Sequence, residues 1–185
     1  MIKKMPNWLT TIRMFMVPIY VILYYIGFEG WNYWAIGVFI VASLTDILDG
    51  YIARKYHCVS DFGKLMDPMA DKLLVLAALM VILDCGRIEA WVALIIIARE
   101  FIISAYRLIA ATKGVVIQAG WSGKIKTLTQ DIGSVVILLN APYFITAGKI
   151  ILYISAALSV WSCAEYILKN KTVMTGELEM KEKEE

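Results

Sequence analysis

Histidine occurs once in these 185 residues, as His57, and cysteine three times, as Cys58, Cys85 and Cys163. The cysteines are odd in number, scattered and outside metal-ligand spacing, so no disulfide framework is implied. They read as small hydrophobes, two of them in or near helices, with Cys58 in a polar loop. His57 ends an apolar segment, where a helix C-terminus favours partial positive charge, and reads as an interfacial capping residue rather than a catalytic one. An excess of one charge sign is also lacking. The 18 Lys and Arg against 16 Asp and Glu leave a net charge of +2, so the total gives no support to a nucleic-acid surface or an acidic substrate. No internal repeat or low-complexity segment is present. A cleavable leader is not expected either: Lys3 and Lys4 give a positive flank, but the apolar block Trp8 to Phe28 is too long for a signal core and lacks a small-residue cleavage site.

What the chain has in excess is apolar residues. They make up 60% of the sequence, with a mean hydropathy of +0.68, against about 45–50% in soluble domains. They are gathered in long blocks. A spanning helix needs about 20 mostly apolar residues, and six stretches qualify: Leu9–Phe28, Trp34–Tyr56, Phe62–Leu83, Ile88–Thr112, Ile125–Ala141 and Gly148–Leu168. The expected fold is therefore all-α, an integral membrane bundle of six transmembrane helices over residues 1–168. A polar, Lys- and Glu-rich tail follows over 169–185. Lys126, Gln130 and Asp131 make the first turns of the fifth stretch polar, as suits a helix lining a cavity and not one surrounded by lipid. Of the 18 basic residues only Arg87 and Lys149 fall in the connections Phe28–Tyr33, Asp84–Arg87 and Asn140–Lys149. The positive-inside rule then places both termini and the basic loops Lys55–Asp61 and Lys113–Lys124 in the cytoplasm. Trp8, Trp31, Tyr33, Trp34, Trp91 and Trp161 cluster near segment ends, as interfacial aromatics do.

Four aspartates contradict this apolar setting. Asp46, Asp49, Asp67 and Asp71 lie inside the second and third stretches, and one Asp at a membrane centre costs about 3 kcal/mol unless compensated. Asp46 and Asp49 are three apart and share a helix face. Gly50 and Ala53 continue that face and leave room for a ligand to reach the backbone. Asp67 and Asp71 are four apart on the next helix, with Gly63 one turn earlier. The connection is short, so the two pairs can face each other across an antiparallel hairpin. Clustered carboxylates without His or Cys favour hard cations such as Mg²⁺, Mn²⁺ or Ca²⁺. A pair of such metals serves phosphoryl transfer, and Mg²⁺ keeps phosphate oxygens among its ligands, so a diphosphate substrate is the natural partner. Arg54 could supply a bidentate phosphate contact. The bland alternative is that the aspartates only pair with Lys64, Lys72 and Arg54 to hold the hairpin, and four at this spacing weigh against it. Asp61 reads as a helix cap.

The run Asp46-Ile-Leu-Asp49-Gly50-Tyr-Ile-Ala53-Arg54, followed after eight residues by Gly63-Lys-Leu-Met-Asp67-Pro-Met-Ala-Asp71, resembles the signature of the CDP-alcohol phosphatidyltransferase family. All eight fixed positions of the pattern D-x2-D-G-x2-A-R-x8-G-x3-D-x3-D match, and the resemblance extends over most of the chain, leaving out the tail. It implies two divalent metal ions, Mg or Mn, on Asp46, Asp49, Asp67 and Asp71, with Asp71 also the general base on the acceptor hydroxyl. It implies a cytidine pocket at Gly50 and Ala53, and Arg54 on the diphosphate. Asn7, Thr10 and Arg13 match the family's N-x2-T-x2-R segment near the nucleotide end. Asn7 is equally an ordinary helix N-cap. A homodimer in the cell membrane is implied as well.

Ala98-Arg99-Glu100-Phe101, Arg107 and Gly123-Lys124-Ile125-Lys126-Thr127 are similar to the branch of the family that takes sn-glycerol-3-phosphate as acceptor. Arg99 and Arg107 are eight apart on the fourth segment and lie close to one face. Two arginines and a lysine facing the aspartate hairpin make an anion site, suited to the dianion of a phosphate monoester. The resemblance names Arg99, Arg107 and Lys124 as acceptor-phosphate contacts, with Lys126 beside them. For Arg107 and Lys126 the alternative is interfacial snorkelling. Glu100 and Asp131 have no partner that spacing identifies, although Glu100 could orient Arg99 or another basic neighbour. The expected reaction joins CDP-diacylglycerol, a membrane lipid, to sn-glycerol-3-phosphate. A sister activity with inositol phosphate, serine or phosphatidylglycerol stays open. So does a cation-coupled transporter, which gives no task to Gly50, Ala53 and Arg54.

Overall fold

The computed structural model describes residues 5–55, 61–113, 115, 117 and 120–170, and the side chains of 5–10, 46–55, 61–68 and 71 lie outside the described set. Among the described residues six helices follow one another: α1 (Met5–Ile26), α2 (Trp31–Lys55), α3 (Asp61–Asp84), α4 (Ala90–Thr112), α5 (Trp121–Leu138) and α6 (Pro142–Lys169). No strand occurs among the described residues. Each expected apolar stretch falls on one helix, so the all-α expectation holds.

The boundaries move most in the last two helices, for local reasons. α5 starts at Trp121, four residues before the apolar run, because its polar first turns are stabilised by hydrogen bonds that hydropathy does not register. α6 starts six residues early, at Pro142, a residue suited to the first helical position because it lacks an N–H that would go unused there. Asn140, at φ 62, turns the chain between them. Among the described residues one helix, Pro142–Lys169, is long and apolar enough to cross a membrane by length and composition, while the apolar runs Thr11–Ile26 and Trp31–Thr45 are shorter.

The chain divides into two compact units. The first contains residues 1–88 and 133–149, with α1 packed on α2 and α3. Its buried seam alternates large side chains (Tyr20, Phe39, Leu74, Leu79, Ile82) with alanines at 35, 42, 70, 77 and 78. Small residues of this kind let helix backbones approach closely. Tyr24 donates a 2.7 Å hydrogen bond to Asp84 and meets Trp31 edge-on at 5.1 Å. The end of α3 is closed by a Schellman turn: Gly86 N–H reaches the Leu83 carbonyl and Arg87 N–H the Ile82 carbonyl. Gly86 sits at φ +67, where a side chain would be strained. Arg87 then uses its guanidinium on the end of α5, donating to the Ile137 carbonyl at 2.9 Å and to Asn140 Oδ1 at 2.6 Å. Asn32 donates to the Leu138 carbonyl at 3.1 Å. These bonds satisfy terminal carbonyls that have no partner within the helix.

The second unit contains residues 89–132 and 150–185. Its apolar centre is Ile103, Tyr106, Ala110 and Tyr166, flanked by Val115, Ile117 and Cys163. Trp91 stacks on Tyr153 at 5.6 Å, and Tyr106 donates a 2.6 Å hydrogen bond to the Asn170 carbonyl. On α6 three serines, Ser155, Ser159 and Ser162, are buried beside Leu152, Ala156 and Tyr166, whereas Ile150, Ile154, Val160, Trp161 and Leu168 are exposed. Ser159 bonds the Ser155 carbonyl at 2.7 Å and Ser162 the Ser159 carbonyl at 3.3 Å.

Two glycines predict opposite responses to the same substitution. A Cβ at Gly148 would lie 2.6–2.8 Å from backbone and Cβ atoms of Ile137, whereas one at Gly37 would meet nothing within 4 Å. Gly148→Ala should lower stability by about 1–3 kcal/mol through overpacking. Gly37→Ala should leave it unchanged or raise it by up to about 1 kcal/mol through helix propensity. Thermal unfolding of detergent-solubilised protein, followed by tryptophan fluorescence, checks both signs.

Candidate active site

The aspartate signature falls on helix throughout its two halves. Asp46, Asp49, Gly50, Ala53 and Arg54 occupy the last three turns of α2, and Gly63, Asp67 and Asp71 the first three of α3. The backbone register therefore sets Asp46 and Asp49 on one stripe of α2, and Asp67 and Asp71 on one stripe of α3. α2 and α3 contact one another, and only residues 56–60 separate them in the chain. The side chains of all eight residues lie outside the described set, as do those of Asn7 and Thr10 on α1; Arg13, on the same helix, is fully buried. Among the described residues no group of three or more His, Cys, Asp or Glu could hold a metal; the four aspartates, whose side chains are outside that set, are the donors that the signature implies. Their chemistry fits hard divalent cations: oxygen ligands only, in two pairs, on adjacent helices.

The basic residues expected to bind the acceptor phosphate, Arg99, Arg107, Lys124 and Lys126, are all described and lie in the second unit. Arg99 is nearly buried on α4. Its Nε donates to Ser162 Oγ at 3.2 Å and its Nη1 to Glu100 Oε1 at 3.0 Å. The same Glu100 oxygen accepts from Lys126 Nζ at 2.5 Å. Lys126 has no exposed side-chain surface and also bonds Gln130, one turn along α5. Asp131 adds a second negative charge within electrostatic reach of the Lys126 ammonium. One carboxylate thus joins a guanidinium from α4 to an ammonium from α5. The backbone makes room for this: a Cβ at Gly123 would lie 2.9 Å from Arg99 Nη2.

Arg107 and Lys124 are placed differently. Arg107 is exposed, with its guanidinium 5.6 Å from the Tyr166 ring centre and its Nε donating to the Tyr166 hydroxyl at 3.3 Å. Lys124 is exposed as well, its ammonium 4.9 Å from the ring centre of Trp121, an aromatic that is itself 79% exposed. The structure brings Arg99 and Lys126 together through Glu100, and holds Arg107 and Lys124 each on an aromatic face. Both arginines of α4 lean on α6, at Ser162 and Tyr166, one turn apart. Sequence reasoning did not single out Ser162 or Tyr166. The signal was the polar stripe Ser155, Ser159 and Ser162, at helical spacing through an apolar segment.

Residues 3–161 match the family model described as CDP-alcohol phosphatidyltransferase. The curated relatives named CDP-diacylglycerol–glycerol-3-phosphate 3-phosphatidyltransferase include the following three. The Bacillus subtilis protein is 37% identical over 184 residues, covering 90% of this chain and 95% of the relative. That of Haemophilus influenzae is 38% identical over 171 residues, covering 89% and 91%. That of Rickettsia typhi is 35% identical over 175 residues, covering 92% and 98%.

The two lysines predict a contrast in stability. Lys126→Met removes a buried cation from a shared carboxylate and should cost about 1–3 kcal/mol. Lys124→Met loses only a solvated cation–π contact, worth about 0.5–1 kcal/mol at most. Thermal midpoints of the two variants in the same detergent should separate accordingly.

Proposed function

The chain belongs to the CDP-alcohol phosphatidyltransferase family, and on that premise we propose that it transfers the phosphatidyl group of CDP-diacylglycerol to sn-glycerol-3-phosphate, giving phosphatidylglycerophosphate and CMP. The match of all eight signature positions over residues 46–71 carries this reading. The names of relatives covering nine-tenths of the chain support the acceptor.

In the proposed reaction Gly50 and Ala53 leave space for the cytidine, and Asn7, Thr10 and Arg13 border the nucleotide end. Arg54 holds the diphosphate. Asp46, Asp49, Asp67 and Asp71 hold two divalent cations, Mg or Mn, which when bound neutralise the diphosphate and stabilise the leaving CMP. Arg99, Arg107, Lys124 and Lys126 bind the phosphate of the acceptor, which orients its free 1-hydroxyl. Asp71 takes the proton from that hydroxyl as the oxygen attacks the β-phosphorus. The new P–O bond forms there, the bond from the β-phosphorus to the bridging oxygen breaks, and CMP departs with the electron pair. A carboxylate is a weak base toward an alcohol, so proton transfer comes late in the step.

The setting proposed is a cell membrane crossed six times, with both termini and the reacting groups on the cytoplasmic side. The helices have 22, 25, 24, 23, 18 and 28 residues. At 1.5 Å per residue these lengths suit a hydrocarbon core of about 30 Å. Large apolar side chains cover the outside of the described helices, among them Phe15, Trp34, Leu94, Leu108 and Leu128. Residues 1–168 form the catalytic part and 169–185 a cytoplasmic tail. A homodimer is proposed on the family resemblance alone.

Purified protein in detergent, given CDP-diacylglycerol and Mg²⁺ or Mn²⁺, should release CMP only when glycerol-3-phosphate is added. Asp71→Asn should reduce that release at least about 10²-fold, the ordinary contribution of a general base, and a chelator should abolish it. Release with serine, inositol phosphate or phosphatidylglycerol instead would keep the family and change the product. Silence with every acceptor, joined to cation uptake into liposomes, would reject the reading.

A further inference from the structure

We infer that Glu100 is a positioning residue that seats Arg99 and Lys126 for the acceptor phosphate, with Gly123 as the floor of the seat. The inference rests on the activity proposed above and concerns how the acceptor is held.

Three observations converge on it. First, one oxygen, Glu100 Oε1, accepts from both cations, at 3.0 Å and 2.5 Å. Two like charges this close repel strongly where water is scarce, and the shared carboxylate is what allows them to stand side by side. Second, the remaining atoms are fixed from other directions: Ser162 engages Arg99 Nε, and Gln130 engages Lys126 Nζ. Third, Arg99 Nη2 lies against the first turn of α5 at Gly123, where a Cβ would come within 2.9 Å. The guanidinium is thus held at Nε and Nη1, and its Nη2 lies over the space left by the missing Cβ of Gly123. Such fixed donors bind an incoming anion without paying to order two flexible side chains at that moment.

Glu100 itself carries the same sign as a phosphate, so its value lies in orientation and in separating the two cations. Removing its charge should weaken acceptor binding, because Arg99 and Lys126 then move apart. Were it a mere competitor for the cations, its removal would tighten acceptor binding. The two roles predict opposite signs.

The test measures CMP release by the full chain in detergent, with glycerol-3-phosphate and CDP-diacylglycerol varied separately. Loss of one charge-assisted contact predicts that Glu100→Gln raises KM for glycerol-3-phosphate about tenfold or more. KM for CDP-diacylglycerol should stay within about twofold, since Glu100 is assigned to the acceptor and other residues are proposed to hold the nucleotide and diphosphate. Glu100→Asp keeps the charge and should recover part of the difference. Gly123→Ala guards against misfolding as an explanation, because alanine favours helix over glycine. It should raise the same KM, because the added Cβ displaces the Arg99 guanidinium, and a thermal midpoint above the assay temperature shows that the fold is kept. An unchanged or lowered KM for glycerol-3-phosphate in Glu100→Gln would overturn the inference. So would a fall confined to kcat in both Glu100→Gln and Gly123→Ala. Wild-type protein that releases no CMP with glycerol-3-phosphate would instead reject the activity, and this inference with it.

Discussion

Lys126 has a side chain with no exposed surface, and an ammonium in that position persists only if its surroundings replace the water it has lost. Glu100 and Gln130 do so directly. Because the Glu100 oxygen is also held by Arg99, and Arg99 by Ser162, the requirement ties α4, α5 and α6 together at one level of the second unit. The same constraint acts on the aspartates of α2 and α3. Four carboxylates in otherwise apolar helices need positive charge brought to them, and in the proposed reaction divalent cations supply it. On the proposed reading there are two answers to one problem: a cation held by protein groups in the second unit, and carboxylates proposed to hold divalent metal in the first.

Around these charges alanines and serines share the buried seams with large side chains such as Phe39, Leu79 and Ile96, while other large side chains, tryptophan, leucine and isoleucine among them, face outward. In a bilayer this is the economical arrangement, since lipid gives no drive to hide apolar surface and small residues let helices touch. It also explains why the helix ends are so carefully closed. The carbonyls at the end of α5 are met by Arg87 and Asn32, and the end of α3 by its glycine turn.

Much of this was legible in the residues. The six apolar blocks predicted six helices, and the Asp46–Asp71 pattern identified the family that the comparisons bear out. The start of α6 was missed because hydropathy does not register Pro142 as a helix initiator. The start of α5 was missed because Trp121, Ser122, Gly123 and Lys124 read as loop. Glu100 could be suspected of orienting a basic residue, but its two partners lie one residue and 26 residues away, and only the folded chain brings them to one oxygen. Spacing also put Arg99 and Arg107 on one face without revealing that Arg99 is buried against Ser162 while Arg107 remains exposed on Tyr166. Periodicity reports which residues share a stripe; it does not report which neighbouring helix that stripe meets.

The charges on α4 and α5 bear on which alcohol the proposed site can accept. α4 carries Arg99, Glu100 and Arg107, and α5 carries Lys124, Lys126 and Asp131. Four basic groups against two acidic ones leave an excess of two positive charges, the complement of a phosphate monoester dianion. Glu100 restrains part of the cationic charge and leaves the rest available. A neutral acceptor would leave that excess uncompensated, and a zwitterion would meet it with one negative charge and one repelled positive charge. Sites built to bind a polar group discriminate sharply against analogues that lack it, because their own polar groups are then left unmatched. In the proposed site this excess therefore favours glycerol-3-phosphate over serine. Inositol phosphate shares the dianion, so charge alone does not separate it from glycerol-3-phosphate, and the shape around the hydroxyl end must do so.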